Sequence, residues 1–233
     1  MALRPIPAVP AETSKRTPAR KGLRFLQNAK KPETVQRILL TAERMFAERG
    51  LAGARIDEIA ADAKVNKALL YYYFGSKREL HRHVLERLFA LLLTSVEAGR
   101  QNKGSPKENL LGYVNGYFDF VSRHPNYPRL VQREVMECGK HLAWIVDNYL
   151  RPLHQRLARA VERGITAGEF RRVDAQHTVT TLIAMTTFYF AAAPLLSELW
   201  GRDALHPRAV EGRRRAILDF LEHGLFRART RSR

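Results

Sequence analysis

The sequence predicts an all-α fold, and two observations support this. From about residue 32 to residue 225, apolar residues recur at intervals of three and four, the period of an amphipathic helix. No stretch alternates apolar and polar residues as a half-buried strand does, and no internal repeat is visible. Hydrophobic residues make up 45% of the 233 positions, which is enough to bury a sizeable core.

Charge separates a helical body from two basic ends. Residues 1–31 hold eight basic side chains, one acidic side chain and four prolines, and we predict a disordered basic arm there. This arm is either a solvated tail or a segment that enters the minor groove of DNA or follows its phosphates. Residues 227–233 form a basic tail. The formal net charge of +17 therefore favours a polyanionic partner, although a basic protein without a special partner remains the alternative.

Residues 32–80 are predicted to form a small domain of short helices. The first helix begins at Pro32, a residue suited to a first helical turn, and ends at Gly50. The second helix runs from Ile56 to Asp62, with apolar residues on one side.

The third and fourth helices of this region carry clear start signals. Asn66 is a plausible N-cap for a third helix that ends at Phe74, before Gly75. Ser76 and Glu79 have the spacing of a capping box, so we expect a long fourth helix to begin there.

Residues 81–226 continue as helices and are predicted to form a second domain. One apolar stripe runs from Leu110 to Val121 and is broken at His124-Pro125 and again two residues later. Two further helices follow, and the last helix is expected over Pro207–Leu225.

The segment Thr178–Ser197 is uncharged and about long enough to span a membrane. It contains five threonines and Pro194, which make it a poor span. We therefore predict a buried or interface helix and no membrane partner.

The sequence NKALLYYYFGSK, residues 66–77, raises the question of how four consecutive rings are distributed. Leu70, Tyr73 and Phe74 share one helical face and are expected to pack on the first two helices. Lys67, Ala68, Tyr71 and Tyr72 then face away. A short helix, a tight turn and a second helix with such a surface are typical of a helix-turn-helix that reads the DNA major groove.

The stretch Ile38–Leu80, ILLTAERMFAERGLAGARIDEIAADAKVNKALLYYYFGSKREL, resembles the DNA-binding domain of the TetR family of transcriptional regulators. The resemblance implies a homodimer, usually a repressor, that binds a quasi-palindromic double-stranded DNA operator. It also implies a C-terminal helical domain that binds a small-molecule effector and dimerises through its last two helices.

The resemblance also assigns roles to residues at the DNA interface. Lys67, Ala68 and Tyr71 match the positions that enter the groove. The other members of the interface are expected near the phosphates or in the turn: Arg55, Lys64, Asn66, Tyr72, Tyr73 and Lys77. Lys64 stands where the family commonly has Gly, so a left-handed backbone there costs roughly 1 kcal/mol. Leu69 stands where the family often has a small or polar residue, so we expect it to contact a thymine methyl group and to shift the operator preference.

The effector pocket is expected among the helices between about residues 85 and 190. The candidate lining residues are aromatic, with two polar anchors: Phe89, Tyr117, Phe120, Trp144, Phe188, Arg133 and Glu134. An arginine in the pocket favours an anionic effector. The alternative is that the rings belong to the core and that the two polar residues pair with each other or with solvent.

Metal and catalytic sites are not indicated. His81 and His83 are two residues apart and point to different helical faces, which argues against a metal site. Cys138 is the only cysteine, which excludes an intrachain disulfide and fits a cytoplasmic protein. Cys138 and His141 are three residues apart and can share a helical face, but a lone Cys–His pair is more often part of the packing than a nucleophile. No cofactor or enzyme motif is present.

The leading hypothesis is a dimeric, effector-released DNA-binding repressor. The alternatives are a DNA-binding architectural or adaptor protein without a small-molecule effector and, on the Cys138–His141 pair alone, an enzyme.

Overall fold

The computed structural model describes residues 32–100, 104–136 and 141–227. The predicted arm 1–31, the tail beyond Arg227 and Cys138 lie outside the described residues. The helices are α1 (Pro32–Gly53), α2 (Ile56–Asp62), α3 (Lys67–Phe74), α4 (Lys77–Ala98), α5 (Pro106–Arg123), α6 (Tyr127–Met136), α7 (Leu142–Ile145), a π-helical turn (Val146–Leu150), α8 (Arg151–Thr166), α9 (Ala175–Ala191), α10 (Ala193–Trp200) and α11 (Pro207–Gly224).

The all-α prediction is confirmed. In the part of the chain that the structure describes, the only extended pairing is a single bridge between Phe170 and Phe226. The first helix differs slightly from its prediction. Gly50 has a φ of 71° and interrupts α1, as expected of a stop signal, but one more turn follows to Gly53.

Helices α1, α2 and α3 form the small N-terminal domain. Phe46 of α1, Ile59 of α2, and Leu70 and Phe74 of α3 are all buried in one core. The turn between α2 and α3 is fastened to α1, because Arg37 Nε donates a hydrogen bond of 2.7 Å to the Ala63 carbonyl oxygen. The backbone of the turn is therefore held in a fixed position relative to the first helix.

Helix α4 joins the two domains. A buried ion pair of 3.0 Å connects its Arg87 to Glu43 of α1, and Asn126 Nδ2 donates to the same carboxylate at 3.3 Å. Burial raises the pKa of Glu43, while Arg87 and Asn126 act against that rise. A shift of α4 along α1 would break buried polar contacts, so the two helices are coupled.

The start of α4 is only half of the predicted capping box. Ser76 Oγ accepts a hydrogen bond of 3.2 Å from the Glu79 backbone N–H. The Glu79 carboxylate instead accepts from Arg82 Nε at 2.8 Å. A complete capping box occurs at the start of α5, where Ser105 and Glu108 bond reciprocally.

The end of α4 touches the middle of α5 backbone to backbone. A Cβ added to Gly99 would overlap the Gly112 carbonyl, one added to Gly112 would overlap the Gly99 carbonyl, and one added to Gly116 would overlap the Ser95 carbonyl. Ser95 Oγ also donates to the Gly116 carbonyl at 2.8 Å. Only glycine fits such an approach, so this crossing is a rigid contact.

The uncharged segment forms two helices and not one. Helix α9 ends at Ala191, and α10 continues at an angle of 70°. Pro194 lies in the first turn of α10, where proline is tolerated. Within the described ranges, no single helix has the length and apolar character of a membrane span; only this bent pair passes such a test, on length and composition.

Candidate nucleic-acid interface and apolar cavity

Helix α3 begins and ends as its sequence predicts. Asn66 Oδ1 accepts a hydrogen bond of 2.8 Å from the Ala68 backbone N–H, which satisfies one of the unpaired donors of the first turn. Gly75 ends the helix with a φ of 71°. The eight residues between these caps make little more than two turns, so buried and exposed side chains must alternate closely.

The rings of α3 divide by helical face. Leu70 is 2% and Phe74 4% exposed, whereas Tyr71 is 46% and Tyr72 66% exposed. Tyr73 is half-buried, and its ring lies 5.2 Å from that of Tyr72 in an edge-to-face arrangement. The exposed phenols therefore stand on a helix that is anchored by other residues.

Three charged side chains lie where the helices of the helix-turn-helix begin: Arg55 and Asp57 at the start of α2, and Lys67 at the start of α3. Lys67 Nζ is 2.6 Å from Asp57 Oδ1 in the first turn of α2. The hydrogen bond from Lys67 lowers the pKa of Asp57, and the same bond raises the pKa of Lys67. Arg55, at the N-cap position of α2, is exposed and makes no capping bond with its side chain.

Lys64 adopts the left-handed conformation, with a φ of 52°, and is the only described non-glycine residue with a positive φ. Its side chain is exposed, and its backbone N–H donates to the Ala61 carbonyl at 3.0 Å. The expected departure from glycine is therefore real, and the turn retains its shape at some cost in strain.

Lys77 and Leu69 are partly buried beside this surface. Lys77 Nζ donates to the carbonyl oxygens of Ala54, at 3.0 Å, and Ala52, at 3.3 Å. In this conformation Lys77 closes the connection between α1 and α2, a role that the sequence did not suggest.

The C-terminal domain contains an apolar cavity of about 60 Å³. Its walls come from α4, α5, α6, the π-helical turn, α8 and α9. The lining residues are Leu92, Val96, Leu110, Tyr113, Val114, Tyr117, Tyr127, Leu150, Leu153, Leu157, Leu182, Ile183 and Thr186. None of them carries a charge at neutral pH.

Hydroxyl groups supply the polar atoms at this cavity. Tyr117 Oη and Thr187 Oγ1 are 2.6 Å apart and share a hydrogen bond, and Tyr127 lines the same cavity. Burial raises the pKa of both tyrosines, since an ionised phenol would lose its hydration. Thr186 Oγ1 donates to the Leu182 carbonyl at 3.4 Å.

The seven residues predicted to form an effector pocket do not surround one cavity in the described part of the chain. Tyr117 alone lines the cavity above. Phe89 and Phe120 belong to the core, at 1% and 2% exposure. Trp144 is partly buried with its ring 5.4 Å from that of Tyr149, and Phe188 is 64% exposed on α9.

The two predicted polar anchors lie between the domains instead. Arg133 Nη2 donates to the Glu48 carbonyl of α1 at 3.1 Å. Glu134 is buried, with Oε1 at 3.6 Å from Nδ1 of the buried His81. The prediction missed this because charged residues flanked by apolar ones also occur at interdomain contacts. The cavity itself is lined mostly by leucines, and nothing in their spacing distinguishes them from core.

Burial and the neighbouring His141 lower the pKa of His81 to about 4, and this outweighs the nearby Glu134 carboxylate. His83 points elsewhere, toward Glu86 at 3.3 Å. Among the residues that the structure describes, no three or more His, Cys, Asp or Glu side chains are grouped to hold a metal ion.

Two family descriptions match separate parts of the chain. "Bacterial regulatory proteins, tetR family" matches residues 38–84, and "Tetracyclin repressor-like, C-terminal domain" matches residues 106–221. The chain belongs to the TetR family. The TetR resemblance seen in the helix-turn-helix is thereby confirmed, and the second match adds the domain that contains the cavity.

Named TetR-family relatives are transcriptional regulators and not enzymes. The chain is 37% identical over 142 residues to the HTH-type transcriptional repressor SCO4008 of Streptomyces coelicolor, covering 59% of this chain and 70% of that protein. It is 28% identical over 204 residues to the HTH-type transcriptional repressor NicS of Pseudomonas putida, covering 83% and 93%. The protein is therefore a DNA-binding transcriptional regulator.

Solved structures show the same fold. The regulator SCO4942 of Streptomyces coelicolor superposes with a TM-score of 0.65 at 26% identity, over 82% of this chain and 98% of that one. The ketosteroid regulator KstR2 of Mycobacterium tuberculosis gives a TM-score of 0.68 at 22% identity, over 86% and 97%.

Proposed function

We propose that this TetR-family regulator is a homodimeric repressor that binds a quasi-palindromic operator and is released from it by a small-molecule effector. The observation that carries the proposal is the division of α3, in which Leu70 and Phe74 anchor the helix while Tyr71 and Tyr72 stay exposed. The repressors SCO4008 and NicS support repression as the direction of control. Operator binding requires the compartment that holds the DNA, the cytoplasm.

The proposed DNA interface is the exposed surface of the helix-turn-helix. Groove contacts are assigned to Lys67, Ala68, Leu69 and Tyr71. Backbone contacts and support of the turn are assigned to Arg55, Lys64, Asn66, Tyr72, Tyr73 and Lys77. A small Ala68 allows close approach to the bases, phenol rings can rest on thymine methyl groups, and hydroxyls can donate to phosphates.

The proposed dimer contact is the exposed apolar face of α9 and α11. Phe188 on α9 is 64% exposed and Phe220 on α11 is 58% exposed, which is a costly arrangement for an isolated subunit. A twofold contact of this face with itself would place two α3 helices for two half-sites.

Effector release is proposed to act through α4. The same helix carries Leu92 and Val96 in the cavity wall and Ser76 at its cap beside α3. A ligand that prefers one position of α4 shifts the population of dimers whose recognition helices fit the operator.

Selection of bound sites from random DNA tests the DNA-binding part of the proposal. We expect enrichment of an inverted repeat, lost when Lys67 and Tyr71 are both replaced by Ala. Enrichment that survives this double replacement, in folded protein, would place the reading surface elsewhere.

Light scattering tests the dimer. Phe220→Glu is expected to give monomers, whereas Leu40→Glu, which changes an exposed leucine of α1, is expected to leave the dimer intact. Dimers in both variants would contradict the assigned face.

The small volume of the cavity favours a second candidate function, a DNA-binding adaptor without a small-molecule effector. A cavity of about 60 Å³ is less than half of the roughly 150 Å³ that accepts benzene in an engineered apolar cavity. A screen of compounds that finds none able to stabilise the dimer or to dissociate it from its operator would favour this candidate.

A further inference from the structure

We propose that the cavity between α4, α5, α8 and α9 takes a small, electrically neutral effector that is largely apolar and carries one hydrogen-bonding group for the Tyr117 hydroxyl network. This inference rests on the effector-release part of the proposed function. It replaces the sequence-based expectation of an anionic effector held by Arg133.

The residues that line the cavity indicate an electrically neutral ligand. All the lining side chains are uncharged, and most are Leu, Ile or Val. An ionised ligand would lose its hydration without gaining a counter-charge, which is strongly unfavourable. Arg133 and Glu134, the charged residues expected at the pocket, make contacts toward α1 and α4 instead.

The hydroxyl groups at the cavity indicate that the ligand carries one hydrogen-bonding group. The Thr186 hydroxyl already bonds within α9 to the Leu182 carbonyl. Tyr117 bonds to Thr187, and a phenol oxygen has one proton and two acceptor positions. A ligand hydroxyl or carbonyl can bond to the Tyr117 hydroxyl beside Thr187 or in its place, whereas a second polar group would face leucine.

The size of the ligand is limited by the volume of the cavity and by the close contact of α4 with α5 on one side of it. About 60 Å³ holds only a few heavy atoms, so a single aromatic ring requires the wall to move. The backbones of α4 and α5 already touch at Gly99, Gly112 and Gly116, and that contact cannot tighten. Moving α4 away from α5 would also break the hydrogen bond from Ser95 to the Gly116 carbonyl. We therefore expect the expansion to fall on the leucines of α8 and α9, and the ligand-bound form to differ from the form described here.

The test uses four compounds of similar size with the full-length protein: p-cresol, toluene, benzoate and benzylamine. Calorimetry or thermal shift at pH 7 gives binding, and operator release is measured separately. We expect p-cresol to bind about three- to tenfold more tightly than toluene, the gain of one hydrogen bond. The benzoate anion and the benzylamine cation are expected to bind at least about tenfold more weakly than p-cresol.

Variants locate the binding. Tyr117→Phe should bring the affinities for p-cresol and toluene together. Leu157→Ala enlarges the cavity and should tighten p-cresol binding, while Leu196→Ala, a partly buried α10 residue outside the lining, should leave it unchanged. Circular dichroism establishes that each variant is folded.

Tighter binding of benzoate or benzylamine overturns the inference, as does the absence of binding by both neutral compounds. Binding of p-cresol that responds to Tyr117→Phe, but without operator release, leaves the ligand class standing and removes effector release. Operator release by a charged compound, unchanged in Tyr117→Phe and Leu157→Ala, would leave effector release standing and contradict the proposed ligand class.

Discussion

Lys67 of the recognition helix lies 2.6 Å from Asp57, so an exposed ion pair joins the first turns of α2 and α3. Any DNA group that takes up the Lys67 ammonium competes with a carboxylate that is already in place. Asp57 also presents a negative charge at a surface that is proposed to meet phosphates. We infer that Asp57 restrains DNA binding while it positions Lys67.

Asp57→Asn is therefore expected to tighten operator binding by about three- to tenfold, since one repulsive charge disappears and Lys67 is released. The slope of log Kd against log salt should steepen by at most about one. Glu58→Gln is the matched control, because Glu58 lies next to Asp57 and pairs with Arg49 and not with Lys67. Equal affinities for wild type and Asp57→Asn in a salt titration would contradict this role.

The two faces of α3 predict opposite effects for two ring deletions. Phe74→Ala should lower the free energy of unfolding by roughly 3–5 kcal/mol, because it removes a buried ring. Tyr71→Ala should change stability little and weaken operator binding at least about tenfold. Urea denaturation and fluorescence anisotropy separate the two; unfolding of Tyr71→Ala with intact affinity per folded molecule would reverse the assignment of the faces.

Replacement of Lys64 by glycine is expected to raise the stability of the protein and to lower its affinity for DNA. Lys64→Gly should stabilise the protein by up to about 1 kcal/mol, since glycine adopts a φ of 52° without strain. If Lys64 contacts a phosphate, the same change weakens DNA binding and lowers the salt slope by about one. Lys64→Ala separates these effects, as it removes the charge and keeps the strain; a gain in thermal stability for Lys64→Ala as well would mean that the strain is absent.

The contact between α4 and α5 predicts that two glycines of the C-terminal domain respond differently to one methyl group. Gly112→Ala should destabilise by at least about 2 kcal/mol, because the added Cβ overlaps the Gly99 carbonyl. Gly212→Ala has open space around its Cβ and should be neutral or stabilising by up to about 1 kcal/mol. Calorimetry of both variants measures this difference, and similar melting temperatures would mean that α4 and α5 can separate without cost.

His81 predicts a loss of stability in mild acid. Its pKa is about 4 when folded and about 6.5 when unfolded, so the unfolded chain binds the proton first. This stabilisation is complete above pH 6.5 and declines toward pH 4, with a slope of up to about 1.4 kcal/mol per pH unit. The raised pKa of Glu43 acts in the opposite direction.

The variant His81→Asn isolates this contribution, because Glu43 and the other carboxylates remain. Urea denaturation between pH 4 and pH 7 should show a shallower decline for the variant than for the wild-type protein. Parallel curves would mean that His81 is accessible to protons in the folded state.

Local patterns predicted the N-terminal domain well because its signals lie within a few residues of each other. Asn66 caps α3, Gly75 ends it, and the i, i+4 spacing of Leu70 and Phe74 defines its buried side. The strain at Lys64 was also foreseeable, since the turn needs a left-handed residue. Such features depend on backbone geometry that neighbouring residues determine.

The structure of the C-terminal domain depends on contacts between residues that are far apart in the sequence, so it was predicted less well. The uncharged segment was predicted to form one helix, and that prediction missed the bend of 70° that divides it into α9 and α10. Phe188 and Phe120 look alike in sequence, yet one is exposed and the other is core. The cavity arises where leucines from separate helices fail to fill the space between them, and no single helix encodes that gap.

The separation of anchoring and exposed residues in α3 bears on how operator preference can diversify among descendants of this gene. Lys67, Ala68 and Tyr71 can be exchanged without disturbing the core, because Leu70 and Phe74 hold the helix independently of them. New DNA targets are thus reachable through single substitutions that leave a folded intermediate at each step. Drift at the anchoring positions, by contrast, would remove the protein before it could acquire a new target.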